Sequence, residues 1–318
     1  MEVRSFKVRA AAQHVRVLAV DTDGERGRDL EGDAAQAVID AAAPLMAALA
    51  AQLGAPPQSL SYSGDEDTLR LAPPPGVDVD PAGLTLRGDA LAPHADALRS
   101  IARAIRDALR RLAGDAPADP SESRDPNDPE FWDSMYRRGF TGWELGRAAP
   151  PIARFFAANP PAGKRALVVG CGRGNEARML AELGAEVVAI DISTTAIAQA
   201  EALPSPRPVD WRVANVFDLR GQAPAYDLVV EHTCFCAIDP SRRQDFVDAV
   251  RDALVPGGAL VGLFFAHGRD GGPPFAVTEE EVRARFADGF AVEHLGRAED
   301  SVISRRGEEL FARIRRDG

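Results

Sequence analysis

The chain has 318 residues, of which 45% are hydrophobic and 27% charged. This composition suits a globular protein with a sizeable core, built as one large domain or two modest ones. The net charge of −11 opposes binding to nucleic-acid phosphate or to an anionic membrane. We therefore expect a small-molecule partner, with neither nucleic acid nor a membrane as partner.

The cysteines and the N-terminal residues indicate the cellular compartment of the protein. The first residues contain no apolar targeting segment, and we find no run of about 18 apolar residues that would cross a bilayer. The three cysteines, Cys171, Cys234 and Cys236, are an odd number, which argues against a disulfide framework. They form no zinc quartet with histidines, so no metal is expected. The sequence predicts a cytoplasmic protein.

A proline-rich acidic stretch divides the chain. Residues 114–129 contain four prolines and many acids, a composition that buries no apolar surface. We therefore predict a small domain over 1–115, a linker over 116–129 and a second domain over 130–318.

The first domain shows two helical patterns and several short strands. Residues 33–53 and 95–112 carry apolar side chains at helical spacing, and strands are predicted at 15–21, 68–72 and 84–87. The sequence predicts a small α+β domain without a catalytic constellation. Its role is unknown, and self-association through this domain is one possibility. The second helix carries arginines that suit either a solvated face or a partner surface (Arg99, Arg103, Arg106, Arg110 and Arg111).

The second domain alternates apolar strands with helices, as parallel sheets do. Helices are expected from the glycine loop to 183, at 194–202 and at 242–254, with a turn at 256–258. Two antiparallel strands at 290–295 and 309–314 close the pattern. The fold class is α/β, a doubly wound Rossmann-like sheet. Its parallel strands are predicted at 166–169, 186–190, 211–213, 228–231 and 259–265.

A glycine loop follows the first of these strands. Gly170, Gly172 and Gly174 let the backbone turn sharply and approach a ligand closely, with Cys171 between them. Asp191 ends the next strand, where a carboxylate accepts both hydroxyls of an adenosine ribose. A dinucleotide loop has the spacing G-x-G-x-x-G, whereas here the third glycine comes one position early. The loop therefore favours S-adenosylmethionine over a dinucleotide.

Other strand ends should face the same ligand, because ligands bind beyond the carboxyl ends of parallel strands. Asn215 follows the third strand, where an adenine would be contacted, and Glu231 ends the fourth, beside the reacting centre. The remaining predicted cofactor contacts are Ile192, Val216 and Phe217.

With these residues in view, the chain from about residue 128 resembles the thiopurine S-methyltransferase family, which includes thiol and halide methyltransferases. Six blocks in order carry the resemblance over roughly 190 residues, and they identify the family better than the substrate. The blocks are FWDSMYRRGFTGWELG (131–146), VGCGRGNEA (169–177), AIDISTTAI (189–197), YDLVVEHTCFCAIDPSRR (226–243), GGPPFAVTEEEV (271–282) and RRGEEL (305–310).

The resemblance implies several roles. Trp143 would lie over the cofactor, the glycine loop would approach its methionine part, and Asp191 would bind the ribose. The segment around Asn215 would reach the adenine, although the family more often has an acid there. The helix over 131–138 would cover the active site as a lid. The family has no counterpart of residues 1–115.

Two residues are candidates for the chemistry. His232 follows the fourth strand and is placed to take a thiol proton or orient the acceptor; a hydrogen-bonded structural histidine is the alternative. Arg147 could attract an anionic acceptor or be an ordinary surface arginine. Phe140 and Trp143 are expected pocket walls.

The leading hypothesis is an S-adenosylmethionine-dependent enzyme that methylates the sulfur of a small thiol or methionine-like thioether. A halide or thiopurine methyltransferase of the same family is the near alternative. A non-catalytic cofactor-binding regulatory module is the alternative of another class, and the glycine spacing disfavours an NAD-dependent oxidoreductase.

Overall fold

The computed structural model describes residues 2–9, 13–21, 24–54, 56–63, 68–73, 84–113, 125–139, 141–302 and 305–318. The chain forms two compact units, and each is treated by itself. One unit comprises Met1–Pro120, Gly139–Gly142 and Val302–Arg305, and the other comprises Ser121–Arg138, Trp143–Ser301 and Arg306–Gly318. Most of the predicted linker, residues 114–124, lies outside the described residues.

The N-terminal unit is an antiparallel sheet with two helices. Its strands lie in the order β3-β2-β1-β4-β5-β6, so that each half is a three-stranded meander followed by a helix. The elements are β1 (Glu2–Arg9), β2 (His14–Asp21), β3 (Gly24–Leu30), α1 (Gly32–Leu53), β4 (Ser59–Ser63), β5 (Thr68–Ala72), β6 (Thr85–Arg87) and α2 (Ala95–Ala113).

Alternation in the strands builds the core of this unit. Phe6 and Val8 of β1 are buried, whereas Lys7 between them is only half-buried. In β2, Val15 and Val17 are completely buried beside the exposed Arg16. The buried side chains join the apolar faces of both helices in one cluster. The sheet therefore has one apolar side and one polar side.

Helix α1 departs from the sequence expectation about membranes. Its stretch Gly32–Ala51 is long and apolar enough to cross a bilayer by length and composition, so the expectation that no such segment exists is wrong. The same composition is common in core helices. Val38, Leu45 and Leu49 of α1 are buried in the cluster shared with the sheet, which is the packing of a core helix.

The C-terminal unit is a seven-stranded sheet with helices. Its order is β12-β13-β11-β10-β7-β8-β9; the five strands from β11 to β9 are parallel, and β13 is antiparallel to both neighbours. The strands are β7 (Arg165–Val169), β8 (Glu186–Asp191), β9 (Asp210–Val213), β10 (Tyr226–His232), β11 (Leu254–Phe265), β12 (Phe290–Arg297) and β13 (Glu309–Arg316). The helices are α3 (Pro129–Arg137), α4 (Pro150–Ala158), α5 (Asn175–Glu182), α6 (Thr194–Ala202), α7 (Arg243–Ala253) and α8 (Glu279–Arg285).

The strand order reverses at β7, because β8 lies on one side of it and β10 on the other. The loops that leave the carboxyl ends of β7 and β10 therefore diverge and leave a crevice, the usual ligand site of such sheets. The predicted fold class is confirmed, and the predicted strands agree with the observed ones to within a few residues.

One predicted boundary is wrong. The sequence placed Leu254 in a helix and a turn at residues 256–258, but α7 ends at Ala253 and β11 begins at Leu254. Leu254 pairs with Tyr226, and the register then shifts so that Ala259 pairs with Leu228. The extra residues form an irregularity inside the strand, which explains why glycines and a proline occur there.

Candidate active site

The glycine loop lies at the carboxyl end of β7. Gly170, Gly172 and Gly174 have φ angles of +56°, +53° and +75°, which side chains rarely adopt. A Cβ atom on Gly170 would lie 2.7 Å from Sγ of Cys234, and one on Gly174 would overlap the ring of Trp211. Glycine is therefore required by both the backbone conformation and the close approach of neighbours.

Glu144, in the W-E-L-G block, holds this loop in place. One carboxylate oxygen accepts hydrogen bonds from the backbone N–H of Arg173 (2.8 Å) and the hydroxyl of Tyr136 (3.3 Å). The other accepts from Nδ2 of Asn175 at 3.0 Å. The hydroxyl of Tyr136 in turn accepts a hydrogen bond from Nε1 of Trp143 at 2.9 Å. Burial raises the pKa of Glu144. The block that carries Trp143 is thus tied to the glycine loop.

Asp191 closes the other side of the loop at the end of β8. Its Oδ2 accepts the backbone N–H of Gly172 and its Oδ1 that of Ser193, both at 2.9 Å. Each oxygen keeps a further lone pair for a ligand hydroxyl. Burial raises the pKa of this carboxyl to about 6, against the two hydrogen bonds that lower it. Ile192, the next residue, is half-buried.

A second carboxylate, Asp133, fixes the predicted lid helix α3. It accepts hydrogen bonds from Oγ of Ser193 (2.5 Å), Oγ1 of Thr194 (2.9 Å) and the backbone N–H of Thr195 (2.8 Å). Burial alone would raise the pKa of Asp133, but these hydrogen bonds bring it below its ordinary value. Helix α3 is therefore bound to the first turn of α6, immediately after Asp191.

His232 ends β10, and its side chain is 9% exposed. Its Nδ1 lies 2.9 Å from Oε1 of Glu176 on α5, and its Nε2 lies 4.0 Å from Oε1 of Glu309 on β13. Glu176 also accepts the backbone N–H of Ala149 at 3.0 Å. The imidazole is thus held among acidic groups from two other elements.

Glu231 is completely buried and supports the next loop. Its Oε2 accepts hydrogen bonds from the backbone N–H groups of Cys234 and Phe235, both at 3.1 Å. These bonds hold the turn around Thr233, a non-glycine residue with a φ angle of +62°. Oε1 of Glu231 has no hydrogen-bond partner among the described residues, and burial raises the pKa of this carboxyl to about 7. The side chain is placed to support the loop.

The predicted adenine segment is a short 3₁₀ helix, Val216–Leu219, capped by Asn215. The side-chain oxygen of Asn215 accepts the backbone N–H of Phe217 at 3.0 Å, so it serves the backbone. Val216 and Phe217 are half-buried against the core, and the guanidinium of Arg242 lies 3.8 Å from the ring centre of Phe217. This segment presents apolar surface more than hydrogen-bonding groups.

A small pocket lies where these groups meet. The structure brings six of the thirteen predicted site residues together there, and one of them, Arg147, is exposed at the edge of the pocket. The other predicted residues do not line it: Gly174, Asp191, Ile192, Asn215, Val216, Phe217 and Glu231. Phe140 lies outside the described residues. The lining residues are Trp143, Glu144, Leu145, Arg147, Val168, Val169, Gly170, Cys171, Gly172, Asn175, Glu176, His232 and Thr233.

The charges around the loop suit a cationic ligand. Glu144, Glu176 and Asp191 are buried around the glycine loop, and within the described part of the chain no cluster of ligands fits a metal ion. S-Adenosylmethionine carries a sulfonium and an ammonium group, which buried carboxylates stabilise, and a ribose whose hydroxyls Asp191 can accept. The residues present therefore fit this cofactor.

Sequence reasoning did not select Asp133, Glu144 or Glu176. All three lie inside the sequence blocks that carry the family resemblance. Their signal was an acidic residue within two positions of a tryptophan or a glycine. Their partners, however, are far away in sequence: 29 residues separate Glu144 from Arg173, and 56 separate His232 from Glu176.

Comparison with known proteins agrees with this geometry. Residues 127–314 match the thiopurine S-methyltransferase (TPMT) family. A probable thiol methyltransferase 2 of Arabidopsis thaliana is 31% identical over 193 residues, which cover 59% of this chain and 85% of the relative. Thiocyanate methyltransferase 1 of Brassica oleracea is 30% identical over 57% of this chain and 83% of its own length.

Similar proteins also occur in bacteria and among solved structures. A thiopurine S-methyltransferase of Pseudomonas aeruginosa is 29% identical over 54% of this chain and 87% of its own length. A solved structure described as "Conversion of a Disulfide Bond into a Thioacetal Group during Echinomycin Biosynthesis" has a TM-score of 0.51 and 24% identity, over 60% of this chain and 93% of that one. That likeness concerns the fold alone.

Proposed function

Because this chain belongs to the thiopurine S-methyltransferase family, we propose that its methyl acceptor is the sulfur of a small-molecule thiol. The chain is an S-adenosylmethionine-dependent S-methyltransferase that acts on small molecules. The choice of a thiol rests on one observation: a nearly buried histidine, His232, faces the pocket beside the glycine loop and is hydrogen-bonded to Glu176.

The proposed cofactor contacts follow from the geometry of the loop. We assign the ribose hydroxyls to Asp191, the methionine part to the backbone of Gly170–Gly172, and one wall to Trp143. Val216 and Phe217 suit the apolar faces of an adenine, whereas Asn215 supports them by capping their short helix. Glu231 acts indirectly, because its carboxylate holds the loop that follows His232.

The cofactor supplies a methyl group on a positively charged leaving group, so the protein needs no acid for departure. The contribution of the chain is alignment and exclusion of water. A thiol, with an ordinary pKa of about 8.5, must lose its proton to become a good nucleophile. We assign this proton to His232, whose ring lines the acceptor pocket.

An anionic acceptor is the second candidate. Relatives of this chain are named thiocyanate methyltransferases, and Arg147 is exposed at the edge of the pocket. The carboxylates of Glu176 and Glu309 beside His232, however, oppose a bound anion. A neutral thiol is not repelled by these two carboxylates. A thioether or a thiopurine remains a further outcome of the test below.

The test is a panel of acceptors with methyl-labelled S-adenosylmethionine. Aliphatic and aromatic thiols, iodide, thiocyanate, methionine and 6-mercaptopurine are compared by kcat/KM for labelled product. We expect a thiol to have the highest value. A higher value for iodide or thiocyanate than for every thiol would overturn the thiol proposal.

Three further points stay predictions. A cytoplasmic location is supported by three cysteines that are all free thiols; cell fractionation checks it. Self-association through residues 1–115 is checked by sedimentation of the full chain. The absence of nucleic-acid and membrane partners, proposed from the charge of −11, is checked by binding to single-stranded DNA and to anionic vesicles.

A further inference from the structure

His232 is held between carboxylates that come from separate elements of the C-terminal unit. Oε1 of Glu176, on α5, lies 2.9 Å from Nδ1, and Oε1 of Glu309, on β13, lies 4.0 Å from Nε2. Glu309 is 2% exposed, and Glu176 is buried as well. Neither carboxylate was selected from the sequence.

The bond to Glu176 determines the form of the imidazole. Burial would raise the pKa of Glu176, but the attraction of His232 and the hydrogen bonds from His232 and the backbone of Ala149 bring it below its ordinary value. At neutral pH Glu176 is therefore a carboxylate, which only accepts hydrogen bonds. Nδ1 of His232 must carry the hydrogen of the neutral ring, and Nε2 then carries the lone pair.

Other ionisable groups lie near the ring. Glu231 precedes His232 on β10, and its buried carboxyl interacts electrostatically with both His232 and Glu309. Glu144, Arg147 and Cys171 line the same pocket as His232. The carboxylates of Glu176 and Glu309 lie closer, within 4.0 Å of the two ring nitrogens. An imidazolium formed there gains two nearby negative charges.

We propose that Glu176 is a positioning residue that fixes His232 as the proton acceptor for a thiol, and that Glu309 stabilises the imidazolium that results. This inference rests on the proposed function. The S–H proton goes to Nε2, the sulfur lone pair forms the bond to the methyl carbon, and the electron pair of the broken carbon–sulfur bond remains with the cofactor. No further reactant is needed.

The arrangement divides acceptors into two classes. A thiol that is protonated at the working pH depends on His232 and therefore on both carboxylates. Iodide and thiocyanate carry no proton and bypass the base. The ratio of kcat/KM for a protonated thiol to kcat/KM for iodide thus isolates proton transfer from general damage to the site.

The experiment compares the full-length wild type with Glu176→Gln and Glu309→Gln, using an aliphatic thiol and iodide between pH 6 and 10. For Glu176→Gln we expect kcat/KM for the thiol to fall 10- to 100-fold, whereas the value for iodide should stay level or rise, because a negative charge that repels the anion is removed. Loss of the negative neighbour also moves the acid limb of the thiol profile to lower pH. Glu309→Gln should act in the same direction, by about threefold to tenfold. Glu186→Gln, at an exposed position on β8, is the matched control without effect.

Two results would overturn the inference: equal losses for thiol and iodide, which indicate a structural role, or no loss for either. If Glu176→Gln does not fold, His232→Gln with thiols of graded pKa decides instead. Its deficit should be largest for thiols that are protonated at the assay pH and vanish for ionised ones, and a uniform deficit contradicts the inference. A wild type that methylates no thiol refutes the proposed function and is recognised before any variant is made.

Discussion

The two units of this chain bury different kinds of side chain. Among the described residues of the stretch 2–113, the buried polar side chains are Ser59 and Thr68, and the rest of the core is apolar. Among its described residues, the C-terminal unit buries six carboxylates. They are Asp133, Glu144, Glu176, Asp191, Glu231 and Glu309.

The difference between these two sets of buried side chains distinguishes residues that stabilise a fold from residues that form a site. An apolar core needs little beyond shape and hydrophobic pattern. A buried carboxylate is unfavourable unless it is hydrogen-bonded or paired, so a group of them indicates a site built for charge. The core of the N-terminal unit is therefore formed by apolar packing, whereas the C-terminal unit buries carboxylates around the glycine loop and His232.

The largest effect that would sharpen this comparison is on stability of the N-terminal unit. Leu45→Ala in α1 removes a side chain that is 1% exposed, so we expect a loss of about 3 kcal/mol in the free energy of unfolding. Denaturant titration measures it, with Gln36→Ala on the exposed side of α1 as control. An equal loss in both variants would contradict the core assigned to this unit.

The second effect is on cofactor binding. Asp191→Ala should weaken S-adenosylmethionine binding about 100-fold, because a carboxylate that accepts two hydroxyls is lost. Isothermal calorimetry measures the change. Asp210→Asn, at an exposed carboxylate paired with Arg212 on neighbouring β9, should leave the affinity within about twofold. Unchanged affinity in Asp191→Ala would refute the ribose assignment.

The third effect concerns the buried charge of Glu231. Its pKa of about 7 exceeds the ordinary value of 4.5, so the folded state holds the proton more tightly than the unfolded state. The wild type therefore loses stability as the pH rises from about 4.5 to 7. Glu231→Gln has no such carboxyl and lacks this loss. The unfolding free energy of the variant minus that of the wild type should therefore rise by about 2 kcal/mol between pH 5 and pH 8. A difference that does not change with pH would show that Glu231 does not titrate there.

The smallest effect is the pH dependence of cofactor affinity. The pKa of Asp191 is about 6, and protonation below that pH removes part of its capacity to accept ribose hydroxyls. Affinity should therefore be level above pH 7 and fall about tenfold by pH 5. Calorimetry on wild type and Asp191→Ala separates this carboxyl from others, since the variant should lack the fall. Parallel curves for the two proteins would assign the titration elsewhere.

The fold of the C-terminal unit could be predicted because its central strands are buried on both faces. β7 and β8 appear in the sequence as short apolar runs that end at glycine or aspartate. In the N-terminal unit, β1, β3 and β4 were missed. β3, with the sequence GERGRDL, has a single apolar side chain, and its pairing with β2 rather than its own pattern makes it a strand.

The place of a candidate residue could be predicted where one strand end carries the signal, as for the glycine loop after β7 and Asp191 at the end of β8. It was not predictable where a carboxylate bonds to a distant segment. Asp133 contacts Ser193, 60 residues later, and nothing in the local sequence indicates that pairing. Asn215 was selected for its position after β9, and its side chain caps the following turn; its predicted contact with a ligand stays a prediction.

The place of β13 has a consequence for synthesis. This strand is the last of the sheet in sequence, yet it lies between β11 and β12 and is bonded to both. On the ribosome, the N-terminal sheet can be complete long before residues 309–316 emerge, since chains fold from the N-terminal side. Until then β11 and β12 have unpaired edges, which are prone to association with other chains. The methyltransferase unit thus acquires its last strand, and Glu309 with it, only once residues 309–316 have emerged, which makes nascent chains shorter than 309 residues the form most exposed to aggregation.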